Sequence, residues 1–165
     1  MPFWPRHNPR QDPKEMARAL RAQALTQSAE EIGIAPSSDH PSVFGLLMET
    51  AYPKAVASLV VFVDGTTSLY FSNGGGILGA GEHASVRATH KNLFAEAEAQ
   101  ADAFSPAAQT PLPEPGRVRF FLRTFRGTLT AEAAEDDLGH MRHRLSRLFH
   151  ACHAVIAAIR EKFAA

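Results

Sequence analysis

The sequence predicts an α+β domain built on an antiparallel sheet of about five strands, and three observations carry that expectation. Apolar and β-branched runs fall into two groups, residues 43–72 and 117–133, and within each group the runs are separated only by short turns such as Asp64-Gly65 and Arg126-Gly127. Residues 82–104 and 135–162 instead carry apolar side chains at the 3.6-residue period of a helix. Connections of hairpin length exclude a regular βαβ array, because parallel strands need a long crossover.

The elements follow in order. Asp12-Pro13 is a helix start, with a capping side chain before a proline whose missing N–H costs nothing at the first helical position. A helix over residues 13–31 carries the weak stripe Met16, Leu20, Ala24, Ala29 and Ile32, and Gly33 followed by Pro36 ends it. In residues 43–51, Leu46, Leu47, Met48 and Glu49 favour a helix, but the segment between Pro41 and Pro53 is short and a strand is expected. The unbroken run Leu59-Val60-Val61-Phe62-Val63 predicts a central strand buried on both faces. Asp64-Gly65 turns the chain into a returning strand over residues 67–72.

A glycine-rich connection leads to a helix expected over residues 82–104, with Val86, Leu93, Phe94, Ala97, Ala101 and Phe104 on its apolar face. Residues 105–116 contain four prolines and read as a stiff connector rather than a polyproline ligand. Residues 117–125 alternate, with Val118, Phe120 and Leu122 on one face and Arg117, Arg119, Phe121, Arg123 and Phe125 on the other. After a strand over residues 128–133, a last helix over residues 135–162 carries Leu138, Met141, Leu145, Leu148, Cys152, Val155, Ile159 and, just beyond, Phe163.

The chain has 165 residues, 45% apolar and 21% charged, which are values of a globular domain with its own core. Lys and Arg total 17, as do Asp and Glu, so no global field steers the chain to nucleic acid or an anionic membrane. Cys152 is the only cysteine, so no intrachain disulfide forms. Residues 1–11 place prolines where a signal peptide needs an apolar run, and no stretch reaches eighteen apolar residues. The expectation is a cytoplasmic chain with no cofactor: an extended arm over residues 1–11, its Phe3 and Trp4 packed onto the body, then one domain over 12–165.

The order helix, three strands, helix, two strands, helix resembles the profilin-like group of small scaffolds and, more loosely, the Roadblock-like domains. That resemblance implies five antiparallel strands between helices and a role in binding other proteins. The segment Asp64-Gly-Thr-Thr-Ser-Leu-Tyr-Phe-Ser-Asn-Gly-Gly-Gly76 also resembles a stretch of short bacterial proteins of unknown function, which implies a bacterial cytosolic setting and no particular chemistry.

Gly74, Gly76 and Gly79 satisfy G-x-G-x-x-G between an expected strand and helix. A dinucleotide site also needs a parallel βαβ unit and an acid on the next strand, yet a hairpin precedes the loop and residues 117–125 hold no carboxylate. No Lys-Ser or Lys-Thr follows, so it is not a P-loop. A generic anion nest remains, formed by Gly74, Gly75, Gly76, Gly79 and Gly81 with Arg87 one turn into the helix. Against it stands the simpler reading, a loop whose glycines permit positive φ or close backbone contact.

His140, His143, His150 and His153 share the last helix, but His143 and His150 lie seven residues apart, about 10.5 Å along a helix axis, too far for one zinc ion. No metal site is expected. His90 falls within an apolar stripe and reads as a hydrogen-bonded core histidine before a catalytic base. Ser68, Ser72 and Ser85 occur without a nucleophile-elbow motif, so no catalytic residue is assigned. Arg119, Phe121, Arg123 and Phe125 combine basic and aromatic groups on one strand face; with no net charge to support nucleic acid, they are expected to form a homodimer interface, the rival being burial of this face by a helix of the same chain. The leading expectation is a non-enzymatic interaction or regulatory scaffold that self-associates. The alternative is a small-molecule or anion-binding protein, even an enzyme, using residues 74–81.

Overall fold

In the computed structural model, which describes residues 12–163, helix α1 (Pro13–Thr26) starts where its cap predicts, with the Asp12 carboxylate accepting from Lys14 N–H at 3.0 Å. The arm of residues 1–11, with Phe3 and Trp4, lies outside the described residues. Strand β1 (Val43–Ala51) is buried along its whole length, and β2 (Val56–Phe62) and β3 (Thr67–Phe71) follow it as antiparallel neighbours. The two-residue β4 (Gly76–Ile77) continues that meander. After a 3₁₀ turn come α2 (Ala84–Arg87), α3 (His90–Gln100) and the two-residue β5 (Ser105–Pro106). Strands β6 (Arg117–Thr124) and β7 (Gly127–Ala134) form a hairpin, and α4 (Glu135–Gly139) and α5 (Ser146–Phe163) close the chain.

The result is a single α+β domain with one antiparallel sheet in the order β4-β3-β2-β1-β6-β7-β5. Seven strands replace the expected five. The two additions contain a glycine and a proline and are too short to show any alternation, so no period betrays them. The two strand groups meet through their first members, β1 against β6, with Leu47 opposite Phe121 and Met48 opposite Phe120.

Pleating divides the sheet into two apolar faces. Leu46, Met48, Leu59, Phe120 and Leu122 pack with Leu93 of α3 and Leu148, Cys152 and Val155 of α5. Phe44, Leu47, Val60, Phe62, Tyr70 and Phe121 pack on the other side under Ala17, Leu20 and Ala24 of α1. The domain is therefore a three-layer sandwich, helix, sheet, helices.

All three expected long helices are shorter. The first stops at Thr26 rather than residue 31, because Arg123 donates to Ala24 O at 2.5 Å and to Gln27 O at 2.9 Å and so occupies the helix's last carbonyls. The helix expected over 82–104 is broken. Thr89 bonds Val86 O at 2.6 Å and separates α2 from α3, a local hydroxyl contact that competes with helical continuation. The last helix is split as well: Arg142 reaches back to Asp136 at 2.5 Å, Met141 takes a left-handed φ of 57°, and the His143 Nδ1 accepts from Leu145 N–H at 3.0 Å ahead of α5. Leu138, Leu145 and Leu148 stay in the core, but Met141, expected with them, is 59% exposed.

Leu148→Ala removes a fully buried side chain between α5 and the sheet and is expected to cost about 2–5 kcal/mol in urea unfolding, whereas Met141→Ala changes stability by no more than about 0.5 kcal/mol. Equal losses would mean that the break before α5 is absent.

Candidate functional site

The face expected to meet a partner is filled from within the chain. Phe121 is fully buried under α1, and Phe125 packs on Phe44 with ring centres 5.4 Å apart. Arg123 lies over the Phe44 ring at 5.2 Å, its guanidinium spent on the α1 carbonyls and on Thr128 Oγ1. Arg119 pairs with Glu132, which Arg117 also engages at 2.8 Å. These two arginines hold the Glu132 carboxyl below its ordinary range, the hydrogen bond from Arg117 acting most strongly. The expected interface residues are thus intramolecular packing and capping groups.

At the centre of this face stands Glu49, a carboxylate with no exposed surface. Arg21 of α1 grips it with a fork, Nε to Oε2 at 2.9 Å and Nη2 to Oε1 at 2.8 Å, while Ser58 Oγ donates to Oε2 at 2.6 Å. Arg21 Nη2 also donates to Thr110 O at 2.8 Å, tying the proline-rich connector to the same point. Nothing in the sequence pattern distinguishes Glu49 from a solvent-facing acid. The one signal is its place in a strand whose other residues, Thr50 apart, are apolar or glycine.

The glycine-rich loop packs against the β2–β3 turn. A Cβ at Gly81 would fall 1.7 Å from Gly65 O, so only glycine allows the two backbones to touch there. Arg87, the cation expected to complete an anion nest, donates to Gly81 O at 2.6 Å. His90 Nε2 lies 3.1 Å from Thr67 Oγ1, whose single hydrogen goes to Gly65 O at 2.8 Å, so the imidazole is the donor in that pair. Arg87 and His90 therefore staple the loop to the turn. Gly74, Gly75, Gly76 and Gly79 all adopt positive φ.

Among the described residues no three His, Cys, Asp or Glu side chains gather in a metal-binding group. His150 and His153 flank the Phe149 ring, His153 at 4.4 Å. The Cys152 thiol is fully buried, and burial pushes its pKa upward, which suppresses the reactive thiolate.

A cleft of about 330 Å³ opens between the first turns of α1 and the β3–β4 hairpin. Met16 and Leu20 form one wall, and Tyr70, Gly75, Gly76 and Leu78 the other. Leu78 at the rim is 44% exposed. The Tyr70 hydroxyl is buried without a hydrogen-bond partner, and burial, then the Glu49 charge, pushes its pKa upward and keeps it protonated. Gly76 lies against β3, where a Cβ would fall 2.5 Å from Leu69 O, and Gly75 faces open space. The expected glycine site thus contributes to a concavity, but the concavity is apolar. Compared with known families, curated proteins and solved structures, the chain gives no match.

Arg21→Gln leaves Glu49 buried with no matching cation and is expected to lower unfolding free energy by about 3–5 kcal/mol; Arg21→Met combined with Glu49→Leu recovers most of that loss. Urea midpoints of the three proteins test it, and a single variant as stable as the parent removes Glu49 from its central place. His90 and His153 are both held below the ordinary imidazole range, first by burial and then by nearby positive charge, Arg87 for the former and His150 for the latter. The unfolded chain therefore binds these protons more readily, so their contribution to stability is present above a pH of about 6.5 and is lost as pH falls below it. Melting temperatures measured down to mildly acidic pH are expected to fall less steeply for His90→Gln than for the parent.

Proposed function

We propose that the chain is a non-enzymatic, cytoplasmic interaction domain that pairs with a second copy of itself through the cleft between α1 and the β3–β4 hairpin. The cleft and its exposed rim residue Leu78 carry this reading. Both sheet faces are covered by helices of the same chain, so pairing falls to an edge. Strand addition is disfavoured there, because each terminal strand has two residues and one of them includes Pro106, which donates no backbone hydrogen bond. Side-chain insertion is the remaining route. A two-fold arrangement lets each Leu78 enter the other copy's cleft, and full burial of a leucine contributes roughly 1.5–3 kcal/mol. The likeness to profilin-like and Roadblock-like interaction modules supports the same reading by analogy of architecture.

The alternative, a small molecule held beside Gly75 and Gly76, is favoured by the cleft volume of about 330 Å³, at the lower end of the range for ligand sites. The Gly74–Gly81 backbone with Arg87 would belong to an anion-binding form of it.

Light scattering coupled to gel filtration at tens of micromolar is expected to give twice the chain mass of 17.9 kDa, and Leu78→Asp to give 17.9 kDa with an unchanged circular dichroism spectrum. A parent protein of single-chain mass under those conditions rejects the pairing. A ligand retained in native mass spectrometry of that monomer selects the alternative.

A further inference from the structure

Helix α1 begins at the mouth of the cleft between it and the β3–β4 hairpin. Pro13, its first residue, lines that cleft and also meets the hairpin turn, where a Cβ on Gly74 would fall 2.8 Å from the Pro13 Cβ. The chain that precedes α1 therefore joins the body at this point. Its composition is divided: Pro2-Phe3-Trp4-Pro5 is an uncharged apolar run, whereas Arg6-His7-Asn8-Pro9-Arg10-Gln11 is polar. That is the pattern of an anchor on a tether. No residue lining the cleft is charged, and Met16, Leu20 and Leu78 give it apolar walls.

We propose that Trp4, with Phe3 beside it, docks into the cleft of its own chain and so takes the place that a second copy's Leu78 would fill. The docking stands on the cleft and the arm alone, while its effect on pairing rests on the reading given above. Reach is sufficient. Residues 5–12 separate Trp4 from Pro13, and at about 3.3 Å per residue an extended tether covers up to about 30 Å, more than the length of α1 at about 21 Å. The fit is also adequate, because an apolar cavity of about 150 Å³ holds one benzene ring and the cleft of about 330 Å³ has room for the two fused rings of an indole. A thioether such as that of Met16 is a favourable neighbour for an aromatic ring, and an indole seated in an open cleft can turn its N–H to water. Prolines at positions 2, 5 and 9 reduce the freedom that the arm loses when it is held. Because arm and cleft share one chain, the contact does not weaken on dilution, whereas pairing does. The arm therefore holds the cleft at low concentration and yields it as pairing sets in, and the apparent Kd of pairing is raised according to the fraction of clefts that the arm keeps closed.

Trp4 is the only tryptophan of the chain, so its fluorescence reports on the arm directly. At submicromolar concentration the full chain is expected to give blue-shifted emission and several-fold weaker acrylamide quenching than in urea, both unchanged by further dilution. Met16→Asp, which places an acid near the N-terminus of α1 where the helix tolerates it, and Leu78→Asp on the facing wall each shift the emission to the red while the circular dichroism spectrum is retained. Phe3→Ser combined with Trp4→Ser tightens pairing at least about tenfold in light scattering. Emission as red and as quenchable as in urea overturns the docking, and so does protection that appears only as concentration rises. Protection kept in both cleft variants overturns the cleft as the seat of Trp4, and pairing no tighter in the doubly substituted arm overturns the competition. A parent protein of single-chain mass at every concentration, with Trp4 protected, rejects the pairing alone and supports the docking.

Discussion

A carboxylate with no exposed surface in the middle strand of a sheet has to be met by a cation brought from another element, and the rest of this architecture follows from how Glu49 is met. Arg21 comes from α1, so the helix cannot shift along the sheet without stranding a charge. The same guanidinium holds Thr110 O, so the connector between the strand groups is fixed at that point too. Arg123 secures the far end of α1 by taking its terminal carbonyls. Two arginines thus fix both ends of a helix whose fully buried side chains are only Ala17, Leu20 and Ala24, with Met16 and Leu25 packing at its margins. The cleft beside the hairpin exists because α1 is held there.

The long strands were legible as runs bounded by turn residues, except β1, whose residues favour a helix and whose strand was expected only from the short span between Pro41 and Pro53; Asp64-Gly65 and Arg126-Gly127 do turn the chain between paired strands. Helix lengths were not. Periodicity continues through Thr89 and Met141, yet a hydroxyl contact at the first and a left-handed residue at the second break the helices, and neither leaves a mark in the apolar pattern. Tertiary contacts also end α1 early, through an arginine almost a hundred residues away in sequence. The alternation of Arg119, Phe121 and Arg123 was read from the correct face, but a single strand's pattern does not say whether a helix or a second subunit lies over it.

That ambiguity matters for reading function in small α+β domains. Once α1 covers the aromatic and arginine face, large intramolecular contacts account for side chains whose composition suits an interface. What remains open is smaller and lies at the margin, an apolar cleft at one edge of the sheet. Residue type in the sequence pointed only to its glycines, Gly75 and Gly76, because the other wall collects single residues from a distant helix.

The contact between Gly81 and Gly65 constrains how this fold tolerates change. Two backbones touch with no side chain between them, so even the smallest addition at residue 81 forces the loop away from the turn. The restriction is steric and independent of whatever the protein binds. Descendant sequences that keep this fold will keep that glycine through changes of partner or ligand. In mutational scanning, residue 81 is then a reporter of architecture.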